Sequence, residues 1–234
     1  MCDRYSFALT KQKITRRFQV KVTQAPDINY NISPGNTVPV ILSQPERHLD
    51  FFRWGLENQL AVNKKKAKLI HAIDTKMLVK QNRLQQITQN QRCLIPADGF
   101  YIWYKISRRS QVPYRVVLKW NMPFAFAGIW ELYADTESQP SLRACSLFTT
   151  EANELLKKLQ STMPVILPLE LENEWLNPEV SLHEAMQMLQ TFPADKMNCF
   201  PVSAQINNPA FNSPELLQAV QATDQFGNYI LFQE

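Results

Sequence analysis

The run Phe100-Tyr101-Ile102-Trp103-Tyr104-Lys105-Ile106 reads as a strand that is apolar on both faces. Side chains on a strand alternate between two faces. Phe100, Ile102, Tyr104 and Ile106 therefore share one face, and Tyr101 and Trp103 with Lys105 share the other. A strand of this kind must be covered on both sides, which places it in the wall of a sandwich or a barrel. Further strand-like runs recur along the chain: Arg4 to Leu9, Val38 to Leu42, Cys93 to Ile95, Tyr114 to Leu118, Phe124 to Leu132, Cys145 to Thr149, Met163 to Leu167, Met197 to Val202 and Tyr229 to Phe232. Pro39 lacks a backbone N–H and puts its strand at an edge, or itself at a strand start. Helical spacing appears after Thr10, with Ile14 and Phe18 one turn apart, and again over Thr75 to Ile87. Thr150 can cap a helix from Glu151 to Leu159, and Ser213-Pro214 can open another. Ser181 with Glu184 forms a capping box. Many short strands with a few helices predict an α+β domain with a mainly antiparallel, barrel-like core.

At 234 residues, 45% hydrophobic and 20% charged, the chain fits one domain spanning 1–234. No apolar run approaches the roughly 20 residues of a membrane helix. Lys11, Lys13, Arg16 and Arg17 break up the N-terminal region where a signal peptide would be apolar, so the expected compartment is the cytoplasm. Cys2, Cys93, Cys145 and Cys199 form no CxxC pair, which argues against a zinc ribbon and a disulfide framework. The last three read as buried small hydrophobes. With 5 glycines the chain has neither GxGxxG nor GxxxxGK[ST], and GxSxG is also missing. His183-Glu184 opens like a zinc-protease motif, but Gln187 stands where the second histidine belongs. No metal and no cofactor is expected. The net charge of +4, with basic groups at 64–68, 108–109 and 157–158, permits an anionic partner without demanding one.

Removal of Met1 would leave Cys2 with a free α-amine and a thiol on adjacent carbons. With ordinary pKa values near 8 and about 8.5, both nucleophiles are partly available at neutral pH. Such a 1,2-aminothiol condenses with an aldehyde to an imine and then to a thiazolidine. Met-Cys alone favours the plainer reading of a frayed terminus, and only residues further along the chain change that.

At Arg92-Cys93-Leu94-Ile95-Pro96-Ala97-Asp98-Gly99-Phe100-Tyr101-Ile102-Trp103 the chain resembles the SOS response-associated peptidase family, which typically reads RCLIPADGFYEW. Cys2 with Arg4-Tyr5 is similar to its MCGRY start, 30–34 to YNIAP and 53–56 to RWGL. Further on, 124–131 is similar to FAFAGLWE, 149–153 to TTEAN, 163–167 to MPVIL, and 201–203 with Asn207 to PVSxxVN. The resemblance implies a barrel-cored α+β fold that acts as a monomer. It implies a basic channel for single-stranded DNA, and a mature N-terminal cysteine that crosslinks to the aldehyde of an abasic site. It assigns Cys2 as the nucleophile and suggests Arg4, Trp54, Trp103 and Thr149 as DNA contacts.

Several positions depart from the family pattern. His71 stands in place of its Asn, Ile102 in place of its Glu and Gln160 in place of its His, while Asp3 replaces the glycine after the cysteine. A positioned acid–base group contributes about 10² to 10⁴ in rate, and neither Ile102 nor Gln160 can supply it. His71 is the candidate replacement. Asp3 would hold the amine protonated and repel phosphates. The expected activity is abasic-site processing by covalent crosslinking, with weakened acid–base support. The alternatives are a non-catalytic paralogue that only binds single-stranded nucleic acid, and a thiol peptidase acting on its own N-terminus.

Overall fold

The computed structural model describes residues 3–44, 46–57, 69–133 and 141–228. Met1, Cys2, the basic run within 58–68 and the expected strand Tyr229 to Phe232 lie outside the described residues. In chain order the first strands are β1 (Arg4–Phe7), β2 (Asn29–Ile32), β3 (Thr37–Leu42), β4 (His48–Trp54), β5 (Ala72–Asp74) and β6 (Arg92–Ala97). They are followed by β7 (Gly99–Lys105), β8 (Gln111–Leu118), β9 (Phe124–Tyr133), β10 (Leu142–Glu151), β11 (Thr162–Pro164), β12 (Ile166–Leu167) and β13 (Met197–Pro201). The α-helices are α1 (Lys11–Phe18), α2 (Asn82–Asn90), α3 (Glu172–Leu176) and α4 (Leu182–Gln187).

The strands form two sheets. One is five-stranded, in the order β13-β8-β7-β1-β2, with every pairing antiparallel. The other closes on itself, because β9 pairs with both β6 and β10 while β10 pairs in parallel with β4, and β3 joins β4 to β6. Closure into a barrel removes the exposed edges that an open sheet would carry. β7 is covered on both faces, as its composition requires. Phe100 and Ile102 join the main core, whereas Tyr101 packs on its other side with Val202, Ile206 and Leu216. Tyr5 ties the two sheets together, its ring edge-on to Trp54 at 5.0 Å and to Phe126 at 5.7 Å.

Polar side chains hold the C-terminal segment over the outer face of the five-stranded sheet. Asn31, 2% exposed, donates from Nδ2 to the carbonyls of Ile206, Asn208 and Phe211. The Tyr101 hydroxyl donates to the carbonyls of Tyr30 in β2 at 2.8 Å and of Leu216 in the C-terminal segment at 3.4 Å. Arg92 is a second clamp, buried beneath the ends of α2 and α3, and burial draws its guanidinium pKa below the usual value.

Several local expectations change. Pro39 lies inside β3, opposite Phe51, and not at a sheet edge. The register of β3 with β6 is set at Ile41↔Leu94, beyond the proline, so its missing N–H is not needed there. Thr75 to Ile87 is a 3-10 turn at Thr75–Met77 followed by α2. Thr150 does not cap a helix, because β10 continues to Glu151 and a series of turns follows, started by Asn153 Oδ1 accepting from the Leu156 N–H. Met163 to Leu167 is split at Val165 into β11 and β12. Ser213-Pro214 opens only the 3-10 helix Pro214–Leu217. The Ser181–Glu184 capping box is formed as expected.

Candidate functional site

The site begins where β4 ends. Gly55 has φ +124°, and a Cβ placed there would lie 2.6 Å from the Leu69 Cβ. A side chain at 55 would therefore push away the returning segment, which bridges back through Leu56 and Ile70. That return brings His71 onto the buried Trp54. The indole Nε1 donates to the His71 carbonyl at 2.9 Å, and the two rings meet edge-on with centroids 5.6 Å apart. The His71 carbonyl also accepts from the Leu147 N–H, which anchors the start of β5 against β10.

Held in this way, His71 Nε2 lies 2.8 Å from Asp3 Oδ1. Two departures from the family pattern are thus one contact. Burial works to raise the Asp3 carboxyl pKa, but the hydrogen bond and charge of His71, helped by Arg4, outweigh it and hold the group below its usual value. Asp3 is consequently an engaged carboxylate and not the unopposed negative charge expected from sequence. A carboxylate on one ring nitrogen fixes imidazole orientation and tautomer. The pairing could have been suspected earlier, since an acid and a histidine replace two neutral residues of one family site.

Asp3 and Arg4 open a groove of about 560 Å³ whose other walls include Trp103, Lys105, Gln111, Gln160 and Asn207. Asn207 Oδ1 accepts from the Trp103 Nε1 at 2.9 Å and sets the plane of that half-buried indole. Gln160 Nε2 donates to the Thr162 carbonyl at 2.6 Å. Lys105 and Gln111 also line an adjoining depression with Arg108 and Arg109, so the groove continues into basic surface. Lys105, Gln111 and Asn207 were not singled out from sequence as site residues. The alternation along β7 placed Lys105 on the face of Trp103, whereas Gln111 lies before the strand expected from Tyr114 to Leu118.

Other expected site residues are not at this surface. Trp54 is fully buried, so it supports His71 and cannot stack on a base. Thr149 is 3% exposed, paired opposite Asp74 and Pro164 inside the barrel wall, which corrects its expected role as a DNA contact. Ile102 is fully buried in the hydrophobic core and offers no proton. Cys93 and Cys145 are fully buried and Cys199 half-buried, and burial pushes all three thiols up, that of Cys199 to about 12. Cys2 lies outside the described residues. Among the described residues no group of three or more His, Cys, Asp or Glu could hold a metal, and no helix is long and apolar enough to cross a membrane.

The closed barrel, the sheet beside it and the polar groove at the first strand define an α+β protein with its candidate site at its N-terminal end. A crystal structure of a protein from Bacteroides thetaiotaomicron has this fold, with TM-score 0.83 at 22% identity over 94% of this chain and all of that one. The chain belongs to the SOS response associated peptidase (SRAP) family, whose model matches residues 1–209. It is 36% identical over 194 residues to the abasic site processing protein YoqW of Bacillus subtilis, covering 82% of this chain and 86% of that one. It is 33% identical over 227 residues to YoaM, an abasic site processing protein of the same organism, covering 94% and 98%. The abasic site processing protein HMCES of Xenopus tropicalis is 26% identical over 231 residues, covering 85% of this chain and 68% of that one.

Proposed function

We propose that this protein processes abasic sites in single-stranded DNA by forming a thiazolidine through Cys2, with the Asp3–His71 pair as its acid–base unit. Cys2 is joined to Asp3 by one peptide link, so this reading puts the aminothiol at the head of the groove lined by Arg4 and Trp103. The α-amine adds to the C1′ aldehyde of the ring-opened sugar. Protonation of the resulting hydroxyl releases one water and leaves an imine. The thiolate then adds to the imine carbon, closing the five-membered ring as the nitrogen takes up a proton. Amine and thiol on one residue give an effective molarity of about 10⁵ M or more, so crosslinking survives with few helpers. Proton transfer is the step that needs a neighbour, and the 2.8 Å contact between His71 and Asp3 is the observation that carries the proposal.

A second reading has support of its own. The positions of the family's Glu and His hold a buried Ile102 and a Gln160 engaged with Thr162, which favours a paralogue that binds single-stranded DNA without reacting. One experiment separates the two. The mature protein and Cys2→Ala are incubated with a single-stranded oligonucleotide carrying one abasic site and run on a denaturing gel. A shifted band that depends on Cys2 supports crosslinking. Binding that weakens with salt and yields no such band supports the non-catalytic reading.

A further inference from the structure

The outer face of the five-stranded sheet is covered in its middle by the C-terminal segment. The groove described above opens at one end of that face. At the other end lies a larger cleft of about 1090 Å³, between α1, the β8–β9 connection and β13. Arg115 is one of its lining residues. It is 5% exposed, and the hydrogen bonds it makes leave from Nη2, to Ser6 Oγ at 3.2 Å and the Asp98 carbonyl at 3.1 Å. Nε is buried without a partner. Arg92 shows the finished arrangement, with Nε and both Nη atoms donating to carbonyls. The Arg115 Nε packs against Gly99, and the Nε atoms of Arg47 and Arg53 are likewise buried without partners, so what Arg115 offers the cleft it lines is the charge and the remaining donors of its guanidinium edge.

Charge narrows the choice. Lys13 and Arg16 stand on the rim, exposed, with no side-chain partner among the described residues. Arg17 is neutralised by Glu172 at 2.7 Å. Asp98 pairs with Arg115 at 3.4 Å, and its oxygens accept from Ser6 Oγ at 2.6 Å and the Ala8 N–H at 3.2 Å. The cleft therefore retains the two rim charges, which match a phosphate monoester near −2 better than a carboxylate at −1. Val117, Met122, Phe200 and Leu217 supply apolar wall, and the Asn121 and Asn198 amides each offer a donor and an acceptor. A planar body with polar edges suits that lining.

We propose that this cleft binds a nucleotide through its 5′-phosphate, either as a free nucleoside monophosphate or as the phosphorylated end of a strand. The phosphate lies among Arg115, Lys13 and Arg16, and the base lies on the apolar wall. The site is independent of Cys2 and of abasic-site chemistry.

The test titrates the full chain calorimetrically with deoxythymidine monophosphate, thymidine and inorganic phosphate. The monophosphate is expected to saturate the protein more tightly than either part alone. The exposed double variant Lys13→Ala/Arg16→Ala, with unchanged melting, should weaken it by about tenfold or more. Cys2→Ala should bind as wild type does, which keeps this result separate from the crosslinking proposal. A thymidine oligomer that gains affinity from a 5′-phosphate, and loses the gain in the double variant, identifies a strand end as the source; no gain identifies the free nucleotide. The proposal is overturned by absence of saturation with the monophosphate, by inorganic phosphate binding equally well, or by a double variant that binds like wild type.

Discussion

Arg92→Lys tests whether the arginine of the RCLIP segment is a structural clamp or a phosphate contact. Nε donates to the Trp175 carbonyl at 2.6 Å, Nη1 to Thr88 and Gln89 at 2.8 and 3.1 Å, and Nη2 to Asn177 and Val180 at 2.5 and 3.2 Å. These carbonyls include the open C-terminal ends of α2 and α3, which have no partner inside their own helices. Arg92 is 7% exposed, so water has little access to replace its donors. Lysine carries three donors on one nitrogen and leaves at least two carbonyls unpaired. At about 1–3 kcal/mol for each buried unsatisfied group, the loss is about 2–6 kcal/mol. For a chain of this length that lowers Tm by roughly 2–4 °C per kcal/mol, or about 8–16 °C near the middle of the range. Equilibrium urea unfolding followed by circular dichroism measures it. The salt dependence of single-stranded DNA binding should be unchanged at a temperature where the variant is folded, whereas Arg4→Ala should flatten it. A loss below about 1 kcal/mol, or a flattened salt slope for Arg92→Lys, would refute the clamp.

Asp3→Asn and His71→Ala should each slow abasic-site crosslinking, by about 10²-fold for the histidine, and alter its pH profile. Their stability cost should stay below about 1 kcal/mol because the Asp3 end of the pair is open to solvent. What the pair does contribute is present above the unfolded-state pKa of Asp3 and fades as pH falls through its lowered folded value, so urea melts of wild type and Asp3→Asn should converge in acid. Trp103→Ala should weaken DNA binding by about 1–3 kcal/mol, the worth of one stacked base, with little effect on folding. Trp54→Ala should instead cost about 3–5 kcal/mol in urea unfolding, as expected for a fully buried ring. In the Cys2→Ala protein a thiol reagent at pH 8 should label Cys93, Cys145 and Cys199 slowly, and rapidly only after denaturation; fast labelling of the native protein would contradict their raised pKa values.

Much of the fold was legible along the chain because strand and helix periodicity are local. The two apolar faces of Phe100 to Lys105 required cover on both sides, and the structure supplies it with the barrel core on one side and the C-terminal segment on the other. The Ser181–Glu184 box depended on residues three apart and formed as written. Pro39 was misplaced because its effect depends on which neighbouring strand needs its N–H, a matter of register and not of residue type.

The site divides in the same way. Residue identity alone showed that neither Ile102 nor Gln160 carries an acid or a base. It could not show that Asp3 and His71, 68 positions apart, touch, because that contact is made by the chain return that Gly55 permits. Nor could it sort the tryptophans, since alternation names a face but not what covers it: packing buries Trp54 under His71 and leaves Trp103 on the groove. Arg92 and Arg115 are alike as letters. Only the tertiary structure gives one a full set of carbonyl partners and leaves the other with donors unused, because the acceptors come from segments far away in the chain.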